Sequence, residues 1–273
     1  MRNWLKNEYV VLTGASGGIG KELCKILIRD YNANVIGIAR NQDKMRSLQN
    51  ELGINGSRFS YYLFDVGDKK EWGKFASDLE SKKINPILLI NNAGAFPKFE
   101  KTAKTSVETT ERIMQTNYFS VVYTVDALLP ILQGEEKDKP AIVNVASSAA
   151  LCTVVGTAMY SASKSALKAY TEALQMEEKS NFYIGVMYPG TTATDLFRED
   201  ANTQNSALDI IAMSAKKMAR KIARNIIKKK KRAVIGWDAK LMNWTAKIAP
   251  VKGLFLIRAV MKRSKSKVFK EVF

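Results

Sequence analysis

The sequence contains no histidine. Without imidazole there is no Ser-His-Asp triad, no Cys-His pair and no histidine metal site, so proton transfer near neutral pH has to rest on Tyr, Lys, Ser, Asp or Glu. Cysteine is scarce: Cys24 and Cys152 are too few for a disulfide framework. The start, MRNWLKNEYVVLTG, lacks a long apolar run followed by a small-residue cleavage site. Together these features set the expectation of a reducing, cytoplasmic setting. Long hydrophobic runs are missing too. The best candidate, IAPVKGLFLIRAVM, is broken by Lys252 and Arg258 and falls short of the roughly 18 uninterrupted apolar residues a bilayer span needs. Acidic charge is missing from one end of the chain. Residues 215–273 hold 19 of the 43 Lys and Arg, against only Asp238 and Glu271, while residues 1–214 balance at 24 of each sign. The whole net charge of +17 therefore lies in the last fifth of the chain, which points to an anionic surface met by that part alone.

At 273 residues and 46% hydrophobic composition the chain buries a sizeable core. The apolar run YVVLTG ends in a glycine turn and leads into GKELCKILIRDY, where Leu23, Ile26 and Leu27 recur at helical spacing. ANVIGIAR, SYYLFDV and PILLINNAG read as the next strands, with a polar helix NQDKMRSLQNELG after the first of them. A helix through VETTERIMQTNYFSVVYTVDALLPIL follows, then the strand AIVNVAS, a helix from about Thr157 to Lys179 and the strand YIGVMYPG. SAKKMARKIARNIIKKK, a basic amphipathic helix, runs into RAVIGW. Strand and helix alternating at this interval call for parallel strands joined by crossover helices. The fold class expected is α/β: a Rossmann-type, doubly wound parallel sheet over residues 1–236, followed by a basic amphipathic C-terminal extension over residues 237–273.

TGASGGIG puts Gly14, Gly18 and Gly20 between the first strand and first helix, where backbone amides meet a phosphate at the positive end of the helix. The residue ending the second strand selects the dinucleotide. An acid there bonds a ribose 2′-hydroxyl, whereas a guanidinium pairs with a 2′-phosphate. Here the strand ends in Ala39-Arg40, so NADP(H) is the expected cofactor over NAD(H).

MYSASKSAL sets Tyr160 and Lys164 four apart, on one face of a helix. A free tyrosine, with a pKa of about 10, is a poor base at pH 7. A cation roughly 4 Å from the phenolate stabilises it by about 4 kcal/mol at an effective dielectric of about 20, enough to lower that pKa by about three. Thirteen residues upstream, Ser147 closes the strand AIVNVAS at the carboxyl edge where such sheets bind ligands, and Asn91 to Gly94 close another strand there. Asn117, polar within an apolar helix, needs a hydrogen-bonding reason.

T-G-A-S-G-G-I-G, N-N-A-G, Ser147 with Y-S-A-S-K, and P-G followed by Thr194 make the chain resemble the short-chain dehydrogenase/reductase family from residue 9 to about 195. The resemblance implies hydride transfer between a nicotinamide and a carbonyl carbon. Tyr160 would be the general acid/base, Lys164 would lower its pKa and bind the nicotinamide ribose, Ser147 would hold the substrate oxygen, and Asn117 would bind a water linked to Lys164. It further implies cofactor contacts from Gly14, Ser16, Gly18, Ile19, Gly20 and Arg40, with Asp65 and Val66 at the adenine. Asn92, Ala93 and Gly94 would line the cofactor, and Pro189, Gly190, Thr192 and Thr194 would hold the nicotinamide end. Ser148 competes with Ser147, and the strand alignment favours Ser147. One departure is Gly17, where many NADP-dependent members carry a basic residue. Homodimers or homotetramers are the family's habit.

The segment 195–214, DLFREDANTQNSALDIIAMS, is the expected substrate loop. From Trp237 onward, apolar and aromatic residues alternate with Lys and Arg, the pattern of a helix in a membrane interface. The same segment suits a dimer contact or a substrate lid, and it loosely resembles the extension of the 11β-hydroxysteroid dehydrogenase branch. By that analogy the substrate is a lipophilic carbonyl compound, such as a ketosteroid or a long-chain 3-oxoacyl compound. Nucleic acid is not an expected partner, because Lys228 to Arg232 lack interleaved aromatics. A non-catalytic NADP(H)-binding scaffold is the rival reading, and a scaffold has no need of Ser147, Tyr160, Lys164 and Asn117 together.

Overall fold

The first strand, β1 (Tyr9–Thr13), buries four consecutive residues, the signature of a strand covered on both faces. A computed structural model describes residues 3–133, 140–178, 181–194, 212–263 and 269–273. After β1 come α1 (Gly18–Tyr31), β2 (Asn34–Ala39), α2 (Gln42–Leu52), β3 (Phe59–Leu63), α3 (Lys69–Ser81) and β4 (Pro86–Asn91). The chain continues through α4 (Val107–Met114), a π-helical turn Gln115–Phe119, α5 (Ser120–Leu132), β5 (Ala141–Val145), α6 (Ala158–Glu177) and β6 (Tyr183–Pro189). It ends with β7 (Thr192–Ala193), β8 (Met213–Ser214), α7 (Ala215–Ile227), β9 (Arg232–Ile235), α8 (Trp237–Ile248) and α9 (Lys252–Arg263).

Seven strands form one parallel sheet in the order β3-β2-β1-β4-β5-β6-β9, the doubly wound Rossmann-type arrangement expected. Helices cover both faces. On one, Leu23 and Leu27 of α1 and Met218 and Ile222 of α7 pack on Val10, Leu12 and Leu88. On the other, Trp72, Phe75, Val121, Leu128 and Leu167 pack on Val11, Leu89 and Ile142. The order reverses between β1 and β4, and a crevice opens outside their carboxyl ends, where open α/β sheets bind ligands.

Three elements differ from the sequence reading. Helix α3 carries no strong periodic signal across its charged start and Gly73, yet Asp68 caps it by accepting from the Lys70 amide, and Trp72, Phe75 and Leu79 are buried. The long helix at 107–132 is interrupted by the π turn that holds Asn117. The C-terminal segment forms two helices, because Pro250, which lacks the amide a continuing helix requires, falls between them. Of the expected substrate loop, residues 195–211 lie outside the described residues. Met213 and Ser214 form β8, which pairs in parallel with β7. Helix α6 ends at Glu177, and Lys179 also lies outside the described residues.

Candidate active site

The crevice is floored by glycines whose missing side chains are a packing requirement. Gly14 adopts φ +68, and a Cβ there would lie 2.9 Å from the Ala93 Cα; at Gly20 a Cβ would lie 2.1 Å from the Gly14 carbonyl oxygen. Gly18 has φ +50 and faces the Thr194 side chain. Helix α1 begins without a side-chain cap and without an acid in its first turn, so its leading amides stay available to an anion. Ser16 sits half-buried in the turn, and Ile19 leans onto the core. Thr13 Oγ1 accepts from the amides of Asn92 (2.9 Å) and Ala93 (3.0 Å), and Asn92 Nδ2 donates back to the Thr13 carbonyl at 3.1 Å. This clamp ties the carboxyl end of β4 to that of β1. Below it, Asn91, Thr124, Asn144 and Thr171 bond one another through distances of 2.8 to 2.9 Å, a buried polar chain that holds β4 and β5 in register.

Tyr160 lies in the first turn of α6, with Lys164 one turn on; both are buried. Ser147, just past β5, accepts from the Ala149 amide at 3.1 Å, and its hydroxyl also bonds the Tyr160 hydroxyl. Of the two competing serines, Ser147 is the one whose hydroxyl bonds the Tyr160 hydroxyl. Lys164 Nζ donates to the Val145 carbonyl at 3.2 Å. Asn117 Oδ1 accepts from the Ala95 amide at 2.7 Å, while its Nδ2 donates to the Ala95 carbonyl (2.9 Å) and to Ser163 Oγ (3.0 Å). A Cβ on Gly94 would come 3.3 Å from Lys164 Nζ and 3.4 Å from Asn117 Oδ1. Lys164 and Asn117 therefore meet at the end of β4, and Tyr160, bonded to Ser147, lies one helical turn before Lys164 on α6.

Electrostatics here correct one expectation. Burial pushes the Tyr160 hydroxyl above its ordinary range, and the Ser147 hydrogen bond offsets only part of that. The lysine does not reverse it, because its ammonium stands 6.0 Å from the Tyr160 ring centre and is turned to Val145. Burial also lowers Lys164 to about 8. Burial thus keeps the Tyr160 phenol in its neutral form at pH 7. The Asn117 amide makes its bonds to Ala95 and Ser163 and so ties the π turn to the strand end.

Arg40 reaches out from the end of β2, its guanidinium 3.2 Å from the Asp65 carboxylate, both partly or largely exposed. Asp65 also accepts from the Gly67 amide, and the buried Val66 gives its carbonyl to the Trp72 indole. At the far end, Thr192 Oγ1 donates to the Gly190 carbonyl. A Cβ on Gly190, next to Pro189, would lie 2.2 Å from Asp238 Oδ1, and Asp238 Oδ2 accepts from the Thr191 amide at 2.5 Å. Asp238, in the first turn of α8, was not among the expected site residues; it joins the basic segment to the Pro189–Thr194 loop. Sequence reasoning also missed Phe96, whose ring meets Tyr160 edge-on at 5.1 Å, and Phe99, 4.8 Å beyond it. Their place directly after N-N-A-G was the available signal.

Among the described residues no cluster of His, Cys, Asp and Glu could hold a metal, and no helix is long and apolar enough to cross a membrane.

A dinucleotide crevice at the switch point of a parallel sheet, with a buried serine, tyrosine and lysine at its edge, defines a class of oxidoreductase. Residues 8–205 match the profile of the family described as short chain dehydrogenase, and the chain belongs to it, an oxidoreductase acting on CH–OH and C=O groups. It is 29% identical over 263 residues to a bovine (Bos taurus) 3-ketodihydrosphingosine reductase, covering 92% of this chain and 78% of that one. It is also 29% identical to an NADPH-dependent pterin aldehyde reductase of Arabidopsis thaliana, over 68% of this chain and 76% of that one. Actinorhodin polyketide ketoreductase, solved with NADPH, superposes with a TM-score of 0.74 at 24% identity, over 87% of this chain and 98% of its own.

Proposed function

We propose that this protein reduces a lipophilic ketone to a secondary alcohol with NADPH, the substrate being a ketosteroid or a long-chain 3-oxo compound. The observation that carries the reading is that Lys164 and Asn117 meet at Gly94 while the Ser147 and Tyr160 hydroxyls bond each other, Tyr160 one helical turn before Lys164, beside a crevice cleared of side chains. The cradle at Gly14, Gly20 and Gly94 and the uncapped start of α1 fit a dinucleotide diphosphate. Arg40, at the end of β2, would take the 2′-phosphate, with Asp65 and Val66 beside the adenine, Asn92 and Ala93 along the crevice, and Pro189, Gly190, Thr192 and Thr194 at the nicotinamide. Such a cofactor supplies the hydride. Tyr160, held neutral by burial, gives its proton to the carbonyl oxygen as negative charge develops there. Ser147 donates to the same oxygen and orients it. Lys164 holds the ribose and offsets the tyrosinate that remains. Relatives named for a sphingoid ketone and for an NADPH-dependent aldehyde reduction support the substrate type and the cofactor.

The outer surface of α8 supports a lipid-borne substrate. Trp237, Leu241, Trp244 and Ile248, on one face at helical spacing, are each more than half exposed. Both acids of the segment are engaged by the protein itself, Asp238 by the Thr191 amide and Glu271 by Lys98. The exposed residues of α8 and α9 are apolar or cationic, which suits an anionic membrane surface.

The test is NADPH oxidation by the purified protein and by Tyr160→Phe, with NADH in parallel, over ketosteroids, long-chain 3-oxo esters and small aldehydes. The expected result is NADPH-preferred turnover of a lipophilic ketone that falls about 10³-fold in the variant while NADPH binding stays intact. Tight NADPH binding without turnover of any compound would favour the scaffold reading instead. Sedimentation with phosphatidylserine vesicles but not with phosphatidylcholine vesicles checks the surface.

A further inference from the structure

The last five residues return to the catalytic end of the molecule. Phe269 and Val272 are each 5% exposed and lie in one apolar cluster with Phe96, Phe99, Ala149 and Tyr160. Three separate contacts seat them. The Phe269 ring stands edge-on to Phe99 with centres 5.0 Å apart. Val272 packs over Gly156, whose φ is +78 and where a Cβ would lie 2.6 Å from Val272 Cγ2. The Gly156 carbonyl in turn accepts from the Glu100 amide at 3.1 Å, so the seat joins the two loops on either side of Tyr160. Glu271 accepts from Lys98 Nζ at 2.8 Å, and it is one of only two acids among the last 59 residues. An acid placed there in a strongly basic segment, opposite the lysine of the Phe96–Glu100 loop, fixes the position of the tail. Phe273 is steadied from outside by the Arg258 guanidinium, 5.7 Å from its ring centre.

We propose that Phe269–Phe273 is the outer wall of the substrate site and selects for ligands with a long apolar chain, an inference that rests on the ketone reading above. The succession of rings sets how far the tail lies from the tyrosine. Contacts run from Tyr160 to Phe96, from Phe96 to Phe99 and from Phe99 to Phe269, at successive spacings of 5.1, 4.8 and 5.0 Å. The tail therefore begins two rings beyond the tyrosine. A compact ketone whose oxygen meets Tyr160 does not extend that far. A chain of eight or so carbons follows the rings outward and reaches Phe269 and Val272, so these two residues add apolar contact for long ligands alone.

The test compares the full chain with a form lacking residues 269–273 and with the double variant Phe269→Ser, Val272→Ser, each loaded with NADP+. Calorimetry reads the binding of methyl 3-oxodecanoate and of cyclohexanone, and hydrogen exchange reads peptides covering residues 96–100 and 154–160. Both altered forms should bind methyl 3-oxodecanoate about tenfold more weakly and cyclohexanone within about twofold of the full chain, with faster exchange in the two peptides. Equal loss for both ketones would mean general loosening, and unchanged binding would mean the tail is remote from the ligand. A gain for the long ketone would make the tail an occupant of the site. Each of these, like absence of binding by the full chain, overturns the proposal. Because binding and exchange are read rather than turnover, failure of Tyr160→Phe to abolish reduction would overturn the catalytic assignment and leave this result to stand separately.

Discussion

On the side of Tyr160 that faces the crevice, the protein is polar, close-fitting and assembled from short stretches of chain. Gly14 and Gly20 leave no room for a side chain and Gly94 leaves little, Thr13 clamps two strand ends, and Asn117 and Lys164 make defined hydrogen bonds. On the opposite side the surroundings are apolar and come from distant parts of the sequence: Phe96 and Phe99, Gly156, and Phe269 and Val272 at the chain end. The first side has little freedom, since its atoms must match one shared group and its charges. The second side asks only for apolar surface of a suitable shape, which many residues supply. On the proposals above, chemistry common to the family sits on the rigid side, and choice of substrate on the other.

The largest expected effect breaks the rigid side at its charge. Lys164→Met should lower turnover about 10³-fold, yet the variant should be at least as stable as the parent at pH 7. The sign follows from burial. With a folded value of about 8, below the ordinary 10.5, the lysine binds its proton less readily in the folded chain than in the unfolded one. It therefore costs stability fully below pH 8, and that cost fades as pH rises from 8 to 10.5. Removing it should relieve on the order of 1–3 kcal/mol at pH 7, less whatever the lost bond to Val145 contributes. Thermal melting at pH 7 and pH 10 measures this; a variant that melts earlier than the parent at pH 7 would show that the ammonium is stabilised there by something other than its solvation.

Next in size is the cradle. In Gly20→Ala the new Cβ meets the Gly14 carbonyl at 2.1 Å, backbone that has nowhere to go. A destabilisation of about 1–3 kcal/mol is expected, with loss of dinucleotide binding in a fluorescence titration. Gly17→Ala in the same loop is the control, because a Cβ there meets nothing within 4 Å; equal damage from both would refute the packing argument.

A third change tests whether the basic segment is coupled to the rigid side. Asp238→Ala strips the Thr191 amide of its acceptor and the start of α8 of its anchor. A loss of about 1–3 kcal/mol in denaturant unfolding is expected, along with a raised KM for NADPH, since Pro189 and Gly190 lie on the loop that Asp238 holds. Unchanged NADPH kinetics would confine Asp238 to anchoring the helix.

How much of this was legible in the sequence divides along the same line. Gly14, Gly18, Gly20, Ser147, Tyr160 and Lys164 stand in short patterns whose spacing is set by one turn or one strand end, so local geometry exposes them. Arg40 is readable because it directly ends a strand. Thr13, Thr124, Asn144 and Thr171 were not, since each looks like an ordinary polar residue until the parallel register brings β1, β4 and β5 side by side. Phe269 and Val272 were further out of reach: Phe269 stands 109 positions after Tyr160, and nothing periodic links them. The raised Tyr160 was misjudged for a related reason, because spacing places two side chains on one face but does not say where the ammonium points.

The smallest expected effect sharpens the comparison at the cofactor end. Arg40 is 78% exposed, and its guanidinium is shared with Asp65, so its attraction for a 2′-phosphate is screened by water and opposed by the carboxylate. Gly17 offers a place for a second cation. Its φ of −163 is extended backbone that any residue adopts, and the space around its Cβ position is open. Gly17→Arg should therefore fold as the parent does and tighten NADPH about fivefold, the scale of one exposed charge pair, while leaving NADH within about twofold. The gain should shrink as salt rises, because both partners sit in water. A variant that tightens NADPH and NADH equally would place the added charge near the shared diphosphate instead of the 2′-phosphate. An unaltered ratio at low salt would mean that Arg40 does not mark the end of the crevice where the 2′ position lies, and the proposed preference for NADPH would lose its support at that residue.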